Sequence, residues 1–195
     1  PEREPSPEIP EREPSPENQN KGLMNVKSSS LPKTLPDLTC IHTVVFDFDG
    51  VFTNNKVWID QNGRESVRCD RGDGLAFDLV RAFQKKREIN AEFFILSKES
   101  NPVVIARAKK LKLDCRHNIG DKLSFMREYF VSRFPSNPNS FEGLIYLGND
   151  LNDLPLMRHA GFAVAPADAH RRVKEVAHLV LPERGGDGFV RAFIE

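Results

Sequence analysis

From residue 41 onward, short apolar runs alternate with longer segments in which apolar positions recur every three or four residues. The first pattern is typical of buried strands and the second of amphipathic helices. Strands are therefore predicted over 43–48, 91–96, 113–115, 144–147, 162–164 and 178–180. Helices are predicted over 75–87, 102–110, 122–134, 154–159 and 169–176, with a last helix after Gly188. This alternation predicts an α/β fold built on a doubly wound, Rossmann-like, mostly parallel sheet.

A β-hairpin is predicted to interrupt the alternation. Residues 56–59 and 65–69 have strand character, and the Asn62-Gly63 pair between them is a strong turn signal. Apart from this flap, the chain from Gly50 to Ser97 has room for one helix only. From Ser97 to Lys122 there is room for one helix and one short strand. The fold is therefore predicted to carry a hairpin flap and no cap domain.

Residues 1–36 differ in composition from the rest. The segment 2–8 (EREPSPE) recurs as 11–17, and the tract is rich in Pro, Glu and Ser. Such a sequence buries too little apolar surface to offset its ordering entropy. A disordered linker is expected over 1–36, followed by one domain over 37–195. A chain that begins with Pro1 rather than Met is also expected to be a fragment or a processed product.

Charge and cysteine content narrow the possible classes of protein. The 28 basic and 28 acidic residues give a net charge of zero, which argues against a nucleic-acid binder. No apolar run approaches the length of a membrane span, so no membrane partner is expected. The three cysteines, Cys40, Cys69 and Cys115, are odd in number and lack metal-type spacing. A reduced, cytoplasmic protein is the simplest interpretation.

The apolar run before residue 47 ends in two aspartates, Asp47 and Asp49, followed by Gly50. Open α/β sheets bind ligands at this end of their strands. Two carboxylates so close repel each other unless a cation lies between them, and Mg²⁺ suits a few carboxylates plus substrate phosphate. A carboxylate can also attack phosphorus to form an aspartyl-phosphate. An Asp-Gly turn would explain Asp49 and Gly50 but not Asp47.

Two further strand or helix ends carry candidate phosphate ligands. Ser97 ends a predicted strand, where it could donate to a phosphate oxygen or, alternatively, cap the helix that follows Pro102. Lys122 opens a helix, where a lysine is unfavourable for the helix dipole. An ammonium there makes better sense facing a phosphate and the Asp47 carboxylate, although most lysines are solvated surface residues.

An acidic loop, residues 148–153 (GNDLND), follows the strand 144–147. Carboxylates favour helix N-termini for structural reasons alone. With Asp47 and Asp49 at the same rim of the sheet, however, a metal site is favoured. Either Asn149 coordinates the ion through its carbonyl oxygen or Asp150 takes its place. Asp153 is expected to orient the ligands rather than to bind directly.

These motifs resemble those of the haloacid dehalogenase superfamily, most of whose members are phosphohydrolases. From Ile41 to Glu195 the chain is similar to the uncapped 3-deoxy-D-manno-octulosonate 8-phosphate phosphatases and their nonulosonate 9-phosphate relatives. The matching segments are 47–51, 71–74, 120–123, 165–169 and 185–191.

The resemblance implies a Mg²⁺-dependent phosphatase acting on a small phosphorylated 2-keto-3-deoxy sugar acid. It implies catalysis by Asp47 as nucleophile and Asp49 as acid and base, with Ser97 and Lys122 neutralising phosphoryl charge. The implied substrate-binding residues are Asp49, Asp73, Gly74, Ser97 and Lys122. The implied metal ligands are Asp47, Asp49, Asn149 and Asp150. It also implies a homotetramer in which a neighbour's hairpin and the glycine-rich tail help to close the site.

Two departures from the family pattern leave an alternative open. Asn149 stands where the usual residue is a carboxylate, and residues 97–99 (SKE) replace a common Thr-Gly-Arg, so an arginine that would meet a substrate anion is missing. Residues 97–104 are more similar to the phosphatase-like domain fused behind sialic-acid cytidylyltransferases. The alternative is therefore a non-catalytic domain that tetramerises a fused cytidylyltransferase. A dinucleotide-binding module is disfavoured because no Gly-x-Gly-x-x-Gly follows the first strand.

Overall fold

A six-stranded parallel sheet forms the centre of the part of the chain described by the computed structural model, residues 36–137 and 139–195. The strands are β1 (Thr43–Phe46), β2 (Trp58–Ile59), β3 (Glu65–Ser66), β4 (Glu92–Leu96), β5 (Asp114–Arg116), β6 (Leu144–Leu147), β7 (Phe162–Ala165) and β8 (Leu179–Val180). The α-helices are α1 (Gly72–Lys85), α2 (Val103–Leu111), α3 (Lys122–Arg133), α4 (Leu154–Met157), α5 (Arg171–Val176) and α6 (Phe189–Ile194). Short 3₁₀ turns cover Leu38–Cys40 and Ser140–Gly143.

Helices cover both faces of the sheet, as the buried, β-branched strands require. Alternation along β1 directs Val44 and Phe46 to one face and Val45 to the other. The first face packs against α1, α2 and α6, and the second against α3, α4 and α5. The chain is therefore a three-layer α/β structure, which confirms the predicted doubly wound fold.

The strand order β5-β4-β1-β6-β7-β8 determines where a ligand-binding site is expected. The chain runs outward from β1 through β4 to β5, and α3 then returns it to β6 on the opposite side of β1. Every pair in this sheet is parallel, with Phe46 opposite both Ile95 and Leu147. The carboxyl ends of β1, β4 and β6 consequently meet at the point where the winding reverses, which is where such folds bind ligands.

The hairpin is present but shorter than predicted. Only two residues of each strand pair, with Trp58 opposite Ser66 and Ile59 opposite Glu65. The Asp60 carboxylate closes the turn by accepting from the backbone N–H groups of Asn62 and Arg64. Farther along, Cys69 forms an isolated bridge with Thr53. This bridge returns the chain to the loop after β1 instead of extending the ribbon.

Several helix boundaries differ from prediction, and two of these differences have a local cause. The helix α1 begins three residues early because the Asp70 carboxylate accepts from the N–H of Gly72 at 2.7 Å. The helix α5 begins at Arg171 because the side chain of His170 caps it by accepting from the N–H of Arg172. The helix α4 ends at Met157, after little more than one turn.

The predictions about the linker, membrane spans and cysteines can be compared with the structure only where residues are described. The chain divides into the units Pro1–Ser30 and Leu31–Glu195, and the predicted linker lies outside the described residues apart from Pro36. In the described ranges, no helix is both long enough and apolar enough to cross a membrane. All three cysteines are free thiols.

Candidate active site

The carboxyl ends of β1, β4 and β6 enclose a cavity of about 300 Å³. Each strand delivers one predicted residue to it: Asp47 follows β1, Ser97 follows β4, and Asn149 lies two residues after β6. Asp49 and Asp150 also line it. The other lining residues are Asn55, Lys98, Glu99, Ser100 and Asn152. The parallel register thus brings together residues that are up to 105 positions apart (47 to 152).

Asp47 is held at the base of this cavity. Its backbone N–H continues the sheet ladder by donating to the carbonyl of Leu147 at 2.9 Å, and the residue is buried. Strand alternation places its side chain on the α3 face. Burial, together with the negative charge of Asp153, raises the pKa of Asp47 to about 7, against a smaller opposing effect of Lys122. The Asp47 carboxyl group is therefore largely removed from water.

Lys122 lies behind Asp47 rather than on the cavity wall. Its Nζ is 2.6 Å from Asp47 Oδ1 and 2.7 Å from Asp153 Oδ1, and it donates to the Tyr146 hydroxyl at 3.1 Å. Burial alone would lower the pKa of Lys122, but the two carboxylates more than offset this and the pKa rises. The prediction that this ammonium faces Asp47 is confirmed, and the alternative of a solvated surface lysine is wrong.

Asp49 lies in the turn after β1 and is only partly buried. Burial and the nearby charge of Glu99 raise the pKa of Asp49, although Lys122 and a hydrogen bond with Thr53 act in the opposite direction. A carboxyl group with a raised pKa holds its proton longer, which suits a general acid. Glu99 was not predicted from the sequence, because its effect depends on the folded position of the loop after β4.

Ser97 is buried, and its Oγ accepts from the backbone N–H of Glu99 at 3.0 Å. It does not cap α2. The Asn101 side chain instead accepts from the N–H of Val103 at 3.1 Å, at the start of that helix. The helix-cap alternative for Ser97 is therefore wrong. The Ser97 hydroxyl still has its own proton to donate into the cavity that it lines.

Gly50 makes room for Asn149. Gly50 has φ +74°, and a Cβ there would lie 1.8 Å from Asn149 Nδ2. The loop that contains Gly50 is held from behind by the chain's own glycine-rich tail, because Gly186 N–H donates to the carbonyl of Val51 at 3.0 Å. A Cβ on Gly185 would lie 1.9 Å from the carbonyl oxygen of Gly50. Close backbone packing therefore fixes Asn149 against the loop that carries Asp47 and Asp49.

Asp153 organises two neighbouring parts of the site. It is fully buried, and its Oδ1 accepts from Lys122 and from the Tyr146 hydroxyl, the latter at 2.6 Å. Its Oδ2 accepts from the backbone N–H groups of Asn149 at 2.8 Å and Asp150 at 3.2 Å. Asp153 does not line the cavity, so these contacts match the expected orienting role.

Asp73 and Gly74 are not brought to this cavity. Both lie in the first turn of α1, and Asp73 is buried with its Oδ2 3.3 Å from the Arg107 guanidinium. Burial nevertheless raises the pKa of Asp73 to about 7, against the effect of Arg107. Gly74 lines a separate cleft together with Arg71 and Arg107. A role for Asp73 and Gly74 in substrate binding stays a prediction that this single chain does not assemble.

The cavity's donors suit a magnesium ion that binds with substrate phosphate. Within 36–137 and 139–195, no three His, Cys, Asp or Glu side chains are spaced to hold an ion by themselves. Mg²⁺ usually takes only one or two protein carboxylates and completes its shell with water and phosphate. The carboxylates lining the cavity are Asp47, Asp49, Glu99 and Asp150, against a single lining lysine, Lys98. This excess of hard, negative oxygen donors fits a divalent cation.

Residues 138–193, which include Asn149 and Asp153, match the family model described as haloacid dehalogenase-like hydrolase. A HAD family hydrolase structure from Streptomyces avermitilis is 40% identical with a TM-score of 0.71, covering 82% of this chain and 86% of that one.

Two other relatives carry a more specific description. The 3-deoxy-D-manno-octulosonate 8-phosphate phosphatase of Yersinia pestis is 28% identical over 160 residues, 77% of this chain and 76% of that protein. The cobalt-bound deoxy-D-mannose-octulosonate 8-phosphate phosphatase structure from Haemophilus influenzae is 25% identical with a TM-score of 0.67, covering 80% of this chain and 86% of that one.

The fold, the paired aspartates and these relatives define the chain as a phosphomonoesterase. It belongs to the haloacid dehalogenase superfamily, in the subfamily of proteins similar to 3-deoxy-D-manno-octulosonate 8-phosphate phosphatase.

Proposed function

We propose that this enzyme hydrolyses the phosphate ester of a 2-keto-3-deoxy sugar acid, either 3-deoxy-D-manno-octulosonate 8-phosphate or a nonulosonate 9-phosphate, with Mg²⁺ as cofactor. The observation that carries the proposal is the buried Asp47, ion-paired with Lys122 at the base of a cavity that also holds Asp49 and Ser97. The similarity to phosphatases named for the octulosonate substrate supports the substrate class.

The reaction begins at the Asp47 carboxylate. One of its oxygens attacks phosphorus, forming an aspartyl-phosphate as the ester oxygen departs. Asp49, whose pKa is raised, protonates that oxygen and then takes a proton from the water that hydrolyses the acyl phosphate. Lys122 stabilises the Asp47 carboxylate from behind, and Ser97 donates to a phosphoryl oxygen.

The metal would be held by Asp47, Asp49 and either Asn149 or Asp150. When bound, Mg²⁺ supplies positive charge for the phosphoryl oxygens, which is the main requirement of phosphoryl transfer. Asn149 and Asp150 are presented to the cavity by the Asp153 carboxylate, which accepts from both backbone N–H groups. A carbonyl oxygen in place of a carboxylate lowers the negative charge of the site by one.

A phosphate-release screen tests this proposal. The purified protein is assayed with phosphorylated sugar acids, simple sugar phosphates and a chromogenic phosphate ester, each with Mg²⁺ and with chelator. We expect Mg²⁺-dependent turnover that is fastest with a phosphorylated 2-keto-3-deoxy acid. Comparable rates on neutral sugar phosphates would contradict the substrate class. No Mg²⁺-dependent release from any ester would favour the non-catalytic domain of a cytidylyltransferase.

We further propose that the protein acts as a cytoplasmic homotetramer. Val57, Trp58 and Ile59 on the hairpin are 50%, 58% and 63% exposed, and a partner subunit would cover this apolar surface. The two-residue strands of this ribbon are too short to be stable without such packing. Three free cysteines suit the reducing conditions of the cytoplasm. Sedimentation at micromolar concentration tests the assembly, and an active monomer would contradict it.

A further inference from the structure

Tyr146 is an unusual residue for the middle of a buried strand. It lies in β6 among apolar neighbours, and its side chain is fully buried. Its hydroxyl donates to Asp153 Oδ1 at 2.6 Å and accepts from Lys122 Nζ at 3.1 Å. Burial and the charges of Asp153 and Asp47 raise the pKa of Tyr146 well above its usual value. The phenol therefore keeps its proton and acts as a fixed donor to Asp153.

Lys122 is held between two carboxylates and the Tyr146 hydroxyl. Its Nζ lies 2.6 Å from Asp47 Oδ1 and 2.7 Å from Asp153 Oδ1, and it donates to the Tyr146 oxygen at 3.1 Å. The Tyr146 oxygen and Asp153 Oδ1 are themselves only 2.6 Å apart, so both lie on the same side of the ammonium. Because Lys122 is buried, few other groups can replace a lost partner.

We propose that Tyr146 is a positioning residue for phosphoryl transfer, whose hydroxyl fixes the Lys122 ammonium against Asp47. This inference rests on the proposed function. The hydroxyl accepts from Lys122 and donates to Asp153 Oδ1, the oxygen that competes with Asp47 for the lysine. Without the hydroxyl, the ammonium loses a partner and Asp153 Oδ1 loses a donor, so Asp153 attracts the ammonium more strongly. Asp47 is then less firmly oriented for in-line attack on phosphorus. A small misplacement of a reacting group lowers the rate of the chemical step substantially.

Tyr146→Phe removes only this oxygen, and the chain supplies a matched control. Its only other tyrosine, Tyr129, also donates its hydroxyl to a carboxylate, that of Glu92, but lines a different cavity together with that residue. With Mg²⁺ saturating, we expect Tyr146→Phe to lower kcat about 10- to 100-fold while KM changes less than about threefold. Tyr129→Phe should keep the kcat of the wild type. Thermal unfolding of both variants identifies any loss of kcat that is explained by reduced stability alone.

A kcat for Tyr146→Phe within twofold of wild type, or an equal loss in Tyr129→Phe, overturns the inference. A second measurement does not depend on turnover. The buried ammonium of Lys122 should give a slowly exchanging ¹H–¹⁵N signal in the wild type and in Tyr129→Phe. That signal should be shifted or lost in Tyr146→Phe. An unchanged signal contradicts the inference even if the wild type has no phosphatase activity, whereas absent turnover with the expected signal contradicts the proposed function alone.

Discussion

Asp47 should destabilise the metal-free protein, and Asp47→Asn should therefore stabilise it. In the fold, Asp47 and Asp153 share one buried ammonium, so the three groups carry a net negative charge. The Asn variant keeps an oxygen that can accept from Lys122 but removes the excess charge. The site would then be an example of function maintained against stability.

The magnitude follows from the pKa. Burial, with the charge of Asp153, raises the pKa of Asp47 from 3.8 to about 7. Between these pH values the folded carboxyl holds a proton that the unfolded chain has released, so stability falls as pH rises. The slope is at most about 1.4 kcal/mol per pH unit, and the total reaches about 4 kcal/mol above pH 7. Below pH 4 this destabilisation is absent, because Asp47 is protonated in both the folded and the unfolded chain. The raised pKa of Asp73 is common to both variants and cancels in their difference.

Urea unfolding of wild type and Asp47→Asn, with chelator present, measures this difference at several pH values. We expect the free energy of unfolding of the variant to exceed that of the wild type by an amount that increases from pH 4 to pH 7 and is constant at higher pH. Mg²⁺ added at pH 8 should stabilise the wild type more than the variant, because binding to the native state raises stability. A pH-independent difference, or a variant less stable than wild type at pH 8, would refute the reasoning.

Three other changes test separate parts of the structure. Gly50→Ala should reduce turnover about tenfold or more and destabilise the fold by about 1–3 kcal/mol, because the new Cβ would collide with Asn149. Activity assays and thermal unfolding measure these two effects, and a fully active variant would contradict the close packing of Gly50 against Asn149. Trp58→Asp should dissociate the proposed tetramer and lower turnover together, which sedimentation and kinetics at matched concentrations can show, whereas an intact, active assembly would argue against it. Deleting residues 1–36 should leave the melting temperature and turnover unchanged, and a large loss of either would mean that the segment is docked.

The main elements of the fold could be predicted because local pattern and global topology agree. The strand before Asp47 is buried at every residue and is β-branched or aromatic throughout, as suits a central parallel strand, and its abrupt end marks the ligand edge of the sheet. The contact between Lys122 and Asp47 followed from the same logic, since both were assigned to that edge. The helix boundaries were less predictable because side chains such as Asp70 set them.

Other parts of the site could not be predicted from sequence. Nothing in β6 indicates that the Tyr146 hydroxyl meets Lys122 and Asp153, because those partners come from α3 and the turn before α4. The effect of Glu99 on Asp49 depends on the folded path of the loop after β4. Conversely, the motif containing Asp73 suggested a place at the site, yet this carboxylate pairs with Arg107 outside the cavity.

Direct capture of the phosphoryl-enzyme tests the central claim, that Asp47 carries out phosphoryl transfer. The protein is mixed with a phosphorylated 2-keto-3-deoxy sugar acid and Mg²⁺, quenched in acid within milliseconds, and mapped by peptide mass. We predict a phosphoryl group on Asp47 that appears before free phosphate, and neither adduct nor turnover in Asp47→Asn. Mg²⁺-dependent phosphate release that proceeds equally well in Asp47→Asn, with no adduct at residue 47, would contradict the account.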